Sequence, residues 1–417
     1  MIKIKPIIDH KSTCPHCGGN LEPHRLLWQG IHVCAVSACM QCHAEIIDDL
    51  PVGQSMYTPC QFDKKVNKLF CSRQETLPWF GIPFADSINN PQQNVHIPMK
   101  IEKIIDRKKV IILNCIDYLY GHSLLKLLNI ERHLKENPEF GVVLIIPTLL
   151  RWMVPPGVSE IWSVEIPLSR GRNYYPDLDE QIQKECKRFD EVSVSRAYSH
   201  PLYFDISSFT RVQKHDFKGE DFRITFIWRE DRPWLRGNPF LFAIMMKAHV
   251  STVLLQMQNR KVTRLYKKLK KHFPHATFTV AGMGKTSSFP HWIDDQRAII
   301  FDEEAERKMC RTYAESRLVI GVHGSNMLLP SAHAGLTIDL MPEDRWPNFA
   351  QDILYQEQDA RMSSYRYRYL PLQITPKLLS RIVVLQIQGY PTFREMMMPE
   401  LEKIKDTNSR RSEKYSG

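Results

Sequence analysis

The amino-acid sequence predicts an α/β protein, with two doubly wound domains preceded by a small cysteine-rich module. Three observations carry that expectation. Apolar runs of buried-strand type alternate with segments of helical spacing, and they do so in two blocks separated by an irregular stretch. Two Cys-x-x-Cys pairs sit within the first 42 residues. Finally, "LVIGVHGSNMLLPSAHAGLTID", residues 318–339, ends an apolar strand in His-Gly-Ser-Asn before a short apolar helix. This is how α/β proteins build a ligand site.

At 417 residues the chain exceeds one ordinary core, so two or three domains are expected. A hydrophobic content of 43% with 24% charged residues excludes global disorder. The net charge of +10 suits an anionic partner: nucleic acid, a membrane surface or a phosphorylated small molecule. No apolar run is long enough for a transmembrane helix, and "MIKIKPIIDHK" lacks the features of a signal peptide. The expected location is therefore cytoplasmic, with peripheral membrane contact left open. Most of the ten cysteines lie in the first 71 residues, whereas Cys115, Cys186 and Cys310 fall in strand-like or helical contexts as small hydrophobes. A reducing compartment fits both groups.

The elements follow in order. Residues 1–60 form the cysteine-rich module, with Pro51, Gly53 and Pro59 at its exit. The Pro/Asn/Gln-rich passage from Leu77 to Pro98 reads as irregular connection. "KKVIILNCID", "HSLLKLLNIERHLKEN" and "GVVLIIP" make a strand, a helix and a strand, one βαβ unit. Residues 170–220 are polar and carry no clear period. A second series opens with strand "FRITFIW", then a helix near Pro239 to Met257. "RKVTRLYKKLKKHF" follows, with an apolar stripe of Val262, Leu265, Leu269 and Phe273, and then strand "TFTVAG". The basic residues of that helix read as its solvated face. Asp302 can cap "EEAERKMCRTYAESR", with acids in the first turn and Arg317 in the last. Next come strand Leu318 to Val322, a turn at His323, Gly324 and Ser325, a helix through Ala334, Gly335 as left-handed cap, and strand "LTIDLM". Residues 366–400 carry another helix pattern, and "NSRRSEKYSG" reads as a disordered tail. The expected domains are 1–60, 61–215, 216–365 and a C-terminal helix with tail, 366–417.

Cys14 and Cys17 with Cys39 and Cys42 have the spacing of a tetrahedral zinc site, each pair presenting two thiolates from a tight turn. No open coordination position is evident, so the zinc is expected to be structural. The other readings are unligated cysteines, or Cys34 in place of one ligand. Zinc ribbons often touch nucleic acid, but "LLWQGIHVCAVSA" between the knuckles has no lysine or arginine, which argues against that role.

In the second series, amides at the start of the helix after His323 offer an anion site, and Gly324 lets a phosphate approach the chain. Asp339 on the next strand is placed to bind a ribose hydroxyl. "WREDRPW" puts Arg229 and Arg232 at a strand end, where guanidinium forks suit a diphosphate. "VAGMGK" adds a third loop with Gly282 and Gly284. The plainer alternatives are a structural βα turn and a surface Arg-Glu-Asp-Arg cluster. "DYLYGHSLL" ends the first strand of the other domain, where His122 reads as base, substrate contact or mere helix cap.

With these residues assembled, the chain resembles the GT-B glycosyltransferases, most closely family 61. In that group a Tyr/Phe-x-His or Tyr-x-His stretch, an arginine-bearing strand end, and an Ile-Gly-x-His-Gly loop followed by an acid recur in this order. Here they look like "YGHSLL" with His122, "WREDR" with Arg229, and "IGVHGSNMLL" with His323, Gly324 and Asp339. The similarity covers roughly residues 105–350, and the last motif is the specific one. It implies two Rossmann-like domains, a nucleotide-sugar donor held by the second, an acceptor held by the first, inversion at the anomeric carbon and no catalytic metal. On this reading Arg229 and Arg232 neutralise the leaving diphosphate, Gly324, Ser325 and Asn326 cradle it, Asp339 holds ribose, and His122, with Asp117 as alternative, is the base. The zinc module is outside the family pattern, aspartate stands where glutamate is common, and the usual secretory anchor is missing. These departures point to a cytoplasmic bacterial-type enzyme acting on a glycan, lipid-linked or protein acceptor. The competing readings are a non-enzymatic zinc-ribbon protein that binds nucleic acid and a sugar-nucleotide epimerase.

Overall fold

The computed structural model describes residues 1–198, 200–218, 222–235, 251–354, 357 and 359–414. The chain divides into two compact units, Met1–Phe209 and Thr210–Gly417.

The first unit begins with β1 (Ile2–Lys5). An antiparallel sheet follows, β2 (Leu21–Trp28), β3 (Val33–Cys39), β4 (Glu45–Asp49), β5 (Cys60–Asp63) and β6 (Lys68–Cys71), paired in sequence order. A disulfide joins Cys60 to Cys71 across β5 and β6. That pair departs from the reducing compartment expected of the sequence. The first part of the Leu77–Pro98 passage is helical rather than irregular, one turn at Leu77–Gly81 leading into α1 (Ile82–Asn89), whereas Asn90–Pro98 is irregular as expected. Pro78 and Pro83 sit at the starts of these turns, where a missing N–H is harmless. Phe80, Phe84 and Ile88 recur every four residues and pack on Leu27, Cys34 and Phe62.

β7 (Met99–Lys103), β8 (Lys109–Asn114), α2 (Tyr120–Leu127), α3 (Ile130–Glu136), β9 (Gly141–Pro147), β10 (Glu160–Val164), α4 (Pro176–Cys186) and β11 (Glu191–Val194) complete the layers. The expected single helix after β8 is thus two, and residues 170–220 hold α4, β11 and the short helix α5 (Ile206–Thr210). The sheet order is β1-β11-β8-β9-β10-β7, with four parallel central strands and antiparallel β1 and β7 at the edges. β9 and β10 are buried throughout, as parallel strands covered on both faces must be. Strand order reverses between β8 and β11. Outside the carboxyl ends of strands at such a point, a crevice forms.

In the second unit, β12 (Arg223–Trp228), α6 (Ser251–Leu269), β13 (Thr277–Gly282), β14 (Asp294–Asp295), α7 (Glu303–Glu315), β15 (Ser316–Val322), α8 (Leu328–His333), β16 (Leu336–Met341), α9 (Ala360–Arg366), β17 (Tyr367–Pro371) and α10 (Pro376–Lys414) follow. All six strands are parallel, in the order β14-β13-β12-β15-β16-β17, so the switch point lies between β12 and β15. Val262, Leu265 and Leu269 enter the core with Tyr266, and Phe273 packs against it. The part of the expected helix from Pro239 to residue 250 lies outside the described residues.

Three local expectations are corrected. Arg317 belongs to β15, not to the last turn of α7, and its guanidinium lies over the Phe222 ring. Gly335 is not left-handed: Ala334, extended at φ −71°, ψ 160°, ends α8. A Cβ at Gly335 would lie 2.8 Å from the Arg317 carbonyl, so close approach is the reason for glycine. The tail expected to be disordered continues α10 through Lys414.

Candidate functional site

The second unit gathers its polar loops at the carboxyl end of the sheet. β15 runs buried to Val322, and the chain then turns at Gly324, whose φ of +139° is open to glycine but strained for other residues. The His323 carbonyl, freed by that turn, accepts from Arg229 Nη1 at 3.2 Å and from Arg232 Nη1 at 2.8 Å. Arg229 Nη1 also donates to Asn326 Oδ1 at 2.6 Å. The two arginines of the β12 loop therefore meet the β15 turn across the switch point. The remaining face of the Arg229 fork is held by the exposed Asp231 carboxylate, at 2.9 and 2.6 Å. This is the face a phosphate oxygen pair would take. Burial, then the charges of Arg229 and Arg345, draw the Arg232 pKa below its ordinary value. Asp231 and Asp344 offset part of this, and three cations against two carboxylates leave a net positive, partly desolvated place that favours an anion.

Below the turn, His323 Nδ1 lies 3.0 Å from Oδ2 of both Asp339 and Asp352. The Tyr367 hydroxyl donates to Asp339 at 2.7 Å, and the Gly324 amide donates to Asp352 at 3.0 Å. Burial pushes the Asp352 carboxyl up to about 6, the nearby Asp339 charge adds to this, and His323 opposes it. Asp339 is fully buried, and its Oδ1 and the Asn326 Nδ2 have no hydrogen-bond partner. In this arrangement Asp339 holds His323 instead of reaching a ribose, and the Gly324 amide serves Asp352 rather than an anion. α8 has only six residues after a single tight turn at Ser325–Met327, so the dipole argument made for it weakens. Asp352 and Arg345 had no signal in the sequence, because both lie in a stretch without periodic pattern.

Gly282 and Gly284 have positive φ, and a Cβ on either would strike the Trp228 carbonyl or the Glu230 carboxylate. They let the β13 loop close on the β12 loop, where Glu230 accepts from the Thr286 amide and hydroxyl at 3.1 and 2.8 Å.

In the first unit, Asp117 follows β8 and is buried between His122, at 3.3 Å, and the buried Lys126, at 3.0 Å. Burial alone would raise its pKa, but Lys126 and His122 hold it well below the usual carboxylate range. Such a carboxylate is a poor base. It orients His122, which also meets Gln54 at 3.5 Å.

The four cysteines of the module converge. Their sulfurs lie within 4.8 Å of one another, with Cys14–Cys42 at 3.6 Å and Cys17–Cys39 at 3.4 Å. Roughly 3.8 Å is the sulfur spacing of a tetrahedron with Zn–S bonds of about 2.3 Å. The Cys42 and Gln41 amides hold the Cys39 thiol down to about 6, whereas Cys17 and Cys39 outweigh the Ala44 amide and push Cys42 up to about 12. Four such sulfurs repel as thiolates until a cation joins them, so the residues fit a metal ion. Cys34 lies elsewhere, buried with its sulfur 3.9 Å from Asp49, and is not a fifth candidate. Among the described residues no helix is long and apolar enough to cross a membrane.

No family model matches the chain, and no curated protein does. Among solved structures, the E. coli ADP-heptose LPS heptosyltransferase II is similar, with a TM-score of 0.40 and 12% identity over 68% of this chain and 99% of that one.

Proposed function

We propose that the chain is a glycosyltransferase of GT-B type, moving a sugar from a nucleotide-sugar donor to a glycan, lipid-linked or protein acceptor with inversion. The observation that carries this reading is the meeting of Arg229 and Arg232 on the His323 carbonyl at the β12–β15 switch point. Charge that grows on a leaving diphosphate is the main catalytic demand, and fixed guanidinium groups meet it without reorganising. Arg229 would exchange Asp231 for phosphate oxygens, and Gly324 leaves the room that such an approach needs. Asp339 and Asp352 are positioning residues for His323. In the first unit His122, oriented by Asp117, is the candidate base for the acceptor hydroxyl. Zinc on Cys14, Cys17, Cys39 and Cys42 is structural in this reading.

His323, Asp339 and Asp352 have the donor types of a cation site, within 4.8 Å of one another. Metal-free catalysis therefore has a direct check, turnover with and without chelator, and loss of turnover that added magnesium restores refutes it. The donor assignment is tested by thermal shift against a panel of nucleotide sugars. A ligand at a hundred times its dissociation constant adds ~2.7 kcal/mol of stability. Arg232→Ala should keep the fold and lose most of that shift. No shift with any nucleotide sugar in the wild-type protein would defeat the proposal.

A further inference from the structure

The first unit has its own cavity at its own switch point, and nothing above uses it. It measures about 750 Å³, within the roughly 300–1,000 Å³ of small-molecule sites. Its walls come from the turn at Gly53–Met56, from α3 and the residue before it, and from the loop after β11. That places it outside the carboxyl ends of β8 and β11, where strand order reverses.

The lining is amphiphilic. Met56, Tyr57, Tyr198, Leu202 and Tyr203 supply an apolar and aromatic wall, while Arg132, Lys135 and Glu136 supply charge, two cations against one carboxylate. Leu202 and Tyr203, 79% and 73% exposed, form an adjacent apolar pair on the cavity wall. The Arg132 guanidinium lies 4.6 Å from the Tyr198 ring centre and meets His133 Nε2 through Nη2 at 3.4 Å; among the described residues it has no carboxylate partner, and its Nε is buried without a hydrogen bond. Asn129, fully buried, donates to the Tyr198 carbonyl at 2.8 Å, yet its Oδ1 is also unpartnered. Both of these atoms are shut off from solvent, so a ligand in the cavity would meet Arg132 at its terminal nitrogens rather than at Nε. A rigid guanidinium fork beside an apolar wall selects a phosphate attached to an apolar chain.

We infer that this cavity binds an amphiphilic phosphate, the phosphate at Arg132 and the chain along Met56, Leu202 and Tyr203. The base candidate does not line the cavity, but the Gly53–Met56 turn links the two. A Cβ at Gly53 would lie 2.9 Å from Lys126 Cε, Lys126 pairs with Asp117, and Gln54 of the same turn meets His122. If the transferase reading holds, on which the word acceptor rests, the acceptor is lipid-phosphate-linked.

The experiment is calorimetric titration of the full chain with farnesyl phosphate, farnesol, inorganic phosphate and uridine monophosphate. Farnesyl phosphate should bind at least tenfold tighter than each of the other three. Arg132→Gln should weaken it about tenfold without changing farnesol binding, and Leu202→Asp, at an exposed site that tolerates the change, should weaken both lipids. Equal binding of farnesol and farnesyl phosphate, binding unaffected by Leu202→Asp, or a preference for uridine monophosphate that Leu202→Asp abolishes would each overturn the inference. Its fate is separable from that of the transferase reading. Nucleotide-sugar binding without farnesyl phosphate binding removes only this site, and the reverse result removes only the donor assignment.

Discussion

Gly324 concentrates the argument at the residue scale. With φ at +139°, a Cβ there would sit 2.5 Å from Arg229 Nη1 and 3.3 Å from Arg232 Nη1. Gly324→Ala should therefore displace the two groups assigned to the diphosphate and add backbone strain of roughly 1–3 kcal/mol. Nucleotide affinity should fall further than stability does, and titration beside thermal unfolding separates the two. Unchanged affinity would return the turn to an ordinary βα connection. Asp352 offers a second residue-scale test, through pH. Its folded pKa of about 6 is above the unfolded carboxylate value of roughly 3.9, so the folded state holds the proton more tightly. This contribution is complete at pH below about 4 and is lost as pH rises through about 6. Asp352→Asn lacks that dependence. Relative to this variant, the wild-type protein should lose on the order of 2 kcal/mol between pH 4 and pH 6.5. Denaturant midpoints at several pH values measure it, and parallel curves would mean that Asp352 titrates normally.

Among the elements, α7 shows what sequence can fix. Asp302 accepts from the Ala305 amide at 2.8 Å, with Glu303, Glu304 and Glu306 in the first turn. Asp302→Ala should cost about 1 kcal/mol and Asp302→Asn much less, since both Asn and Asp cap well. Chemical denaturation reads the difference, and an equal loss in both variants would point to charge rather than the cap. Strands β8, β9, β12, β13, β15 and β16 are legible for a related reason: each is mostly apolar and short, as strands buried on both faces are. α1 is masked in the sequence by Pro78, Pro83 and the amide-rich residues that follow it, although Phe80, Phe84 and Ile88 keep a four-residue spacing. β1 has the apolar-polar alternation of a half-buried strand in Ile2, Lys3, Ile4 and Lys5, but nothing local says that its partner is β11, almost two hundred residues further on. The site divides in the same way. Arg229, His323 and Gly324 lie at strand ends that the pattern locates, whereas Asp352 and Arg345 are delivered by tertiary folding alone.

At the scale of the whole molecule, the cores of the two units are built separately, and that decides what a metal can influence. The sheet of the second unit packs on residues from Ile224 to Met397. The metal end of the first unit has only Cys14, Leu21, Cys39 and Ile46, with Ala44 packed against them. So small a cluster cannot hold two knuckles closed, whereas Trp28, Val33, Ala35 and Leu50, further along the same sheet, belong to the large core of the first unit. A structural zinc site is worth roughly 10–16 kcal/mol in isolated zinc-finger peptides, so its removal should release the part that depends on it. Chelation, or Cys14→Ser, should therefore expose the amides from Cys14 to Gly19 and from Cys39 to Ala44 to hydrogen exchange. Residues 28–36 should stay protected, and nucleotide affinity in the second unit should be unchanged. Zinc content near one per chain in the untreated protein is the companion measurement. Protection that is indifferent to chelation would show that no metal holds the knuckles, and a parallel loss of nucleotide affinity would show that the module acts on the donor site as well as on its own sheet.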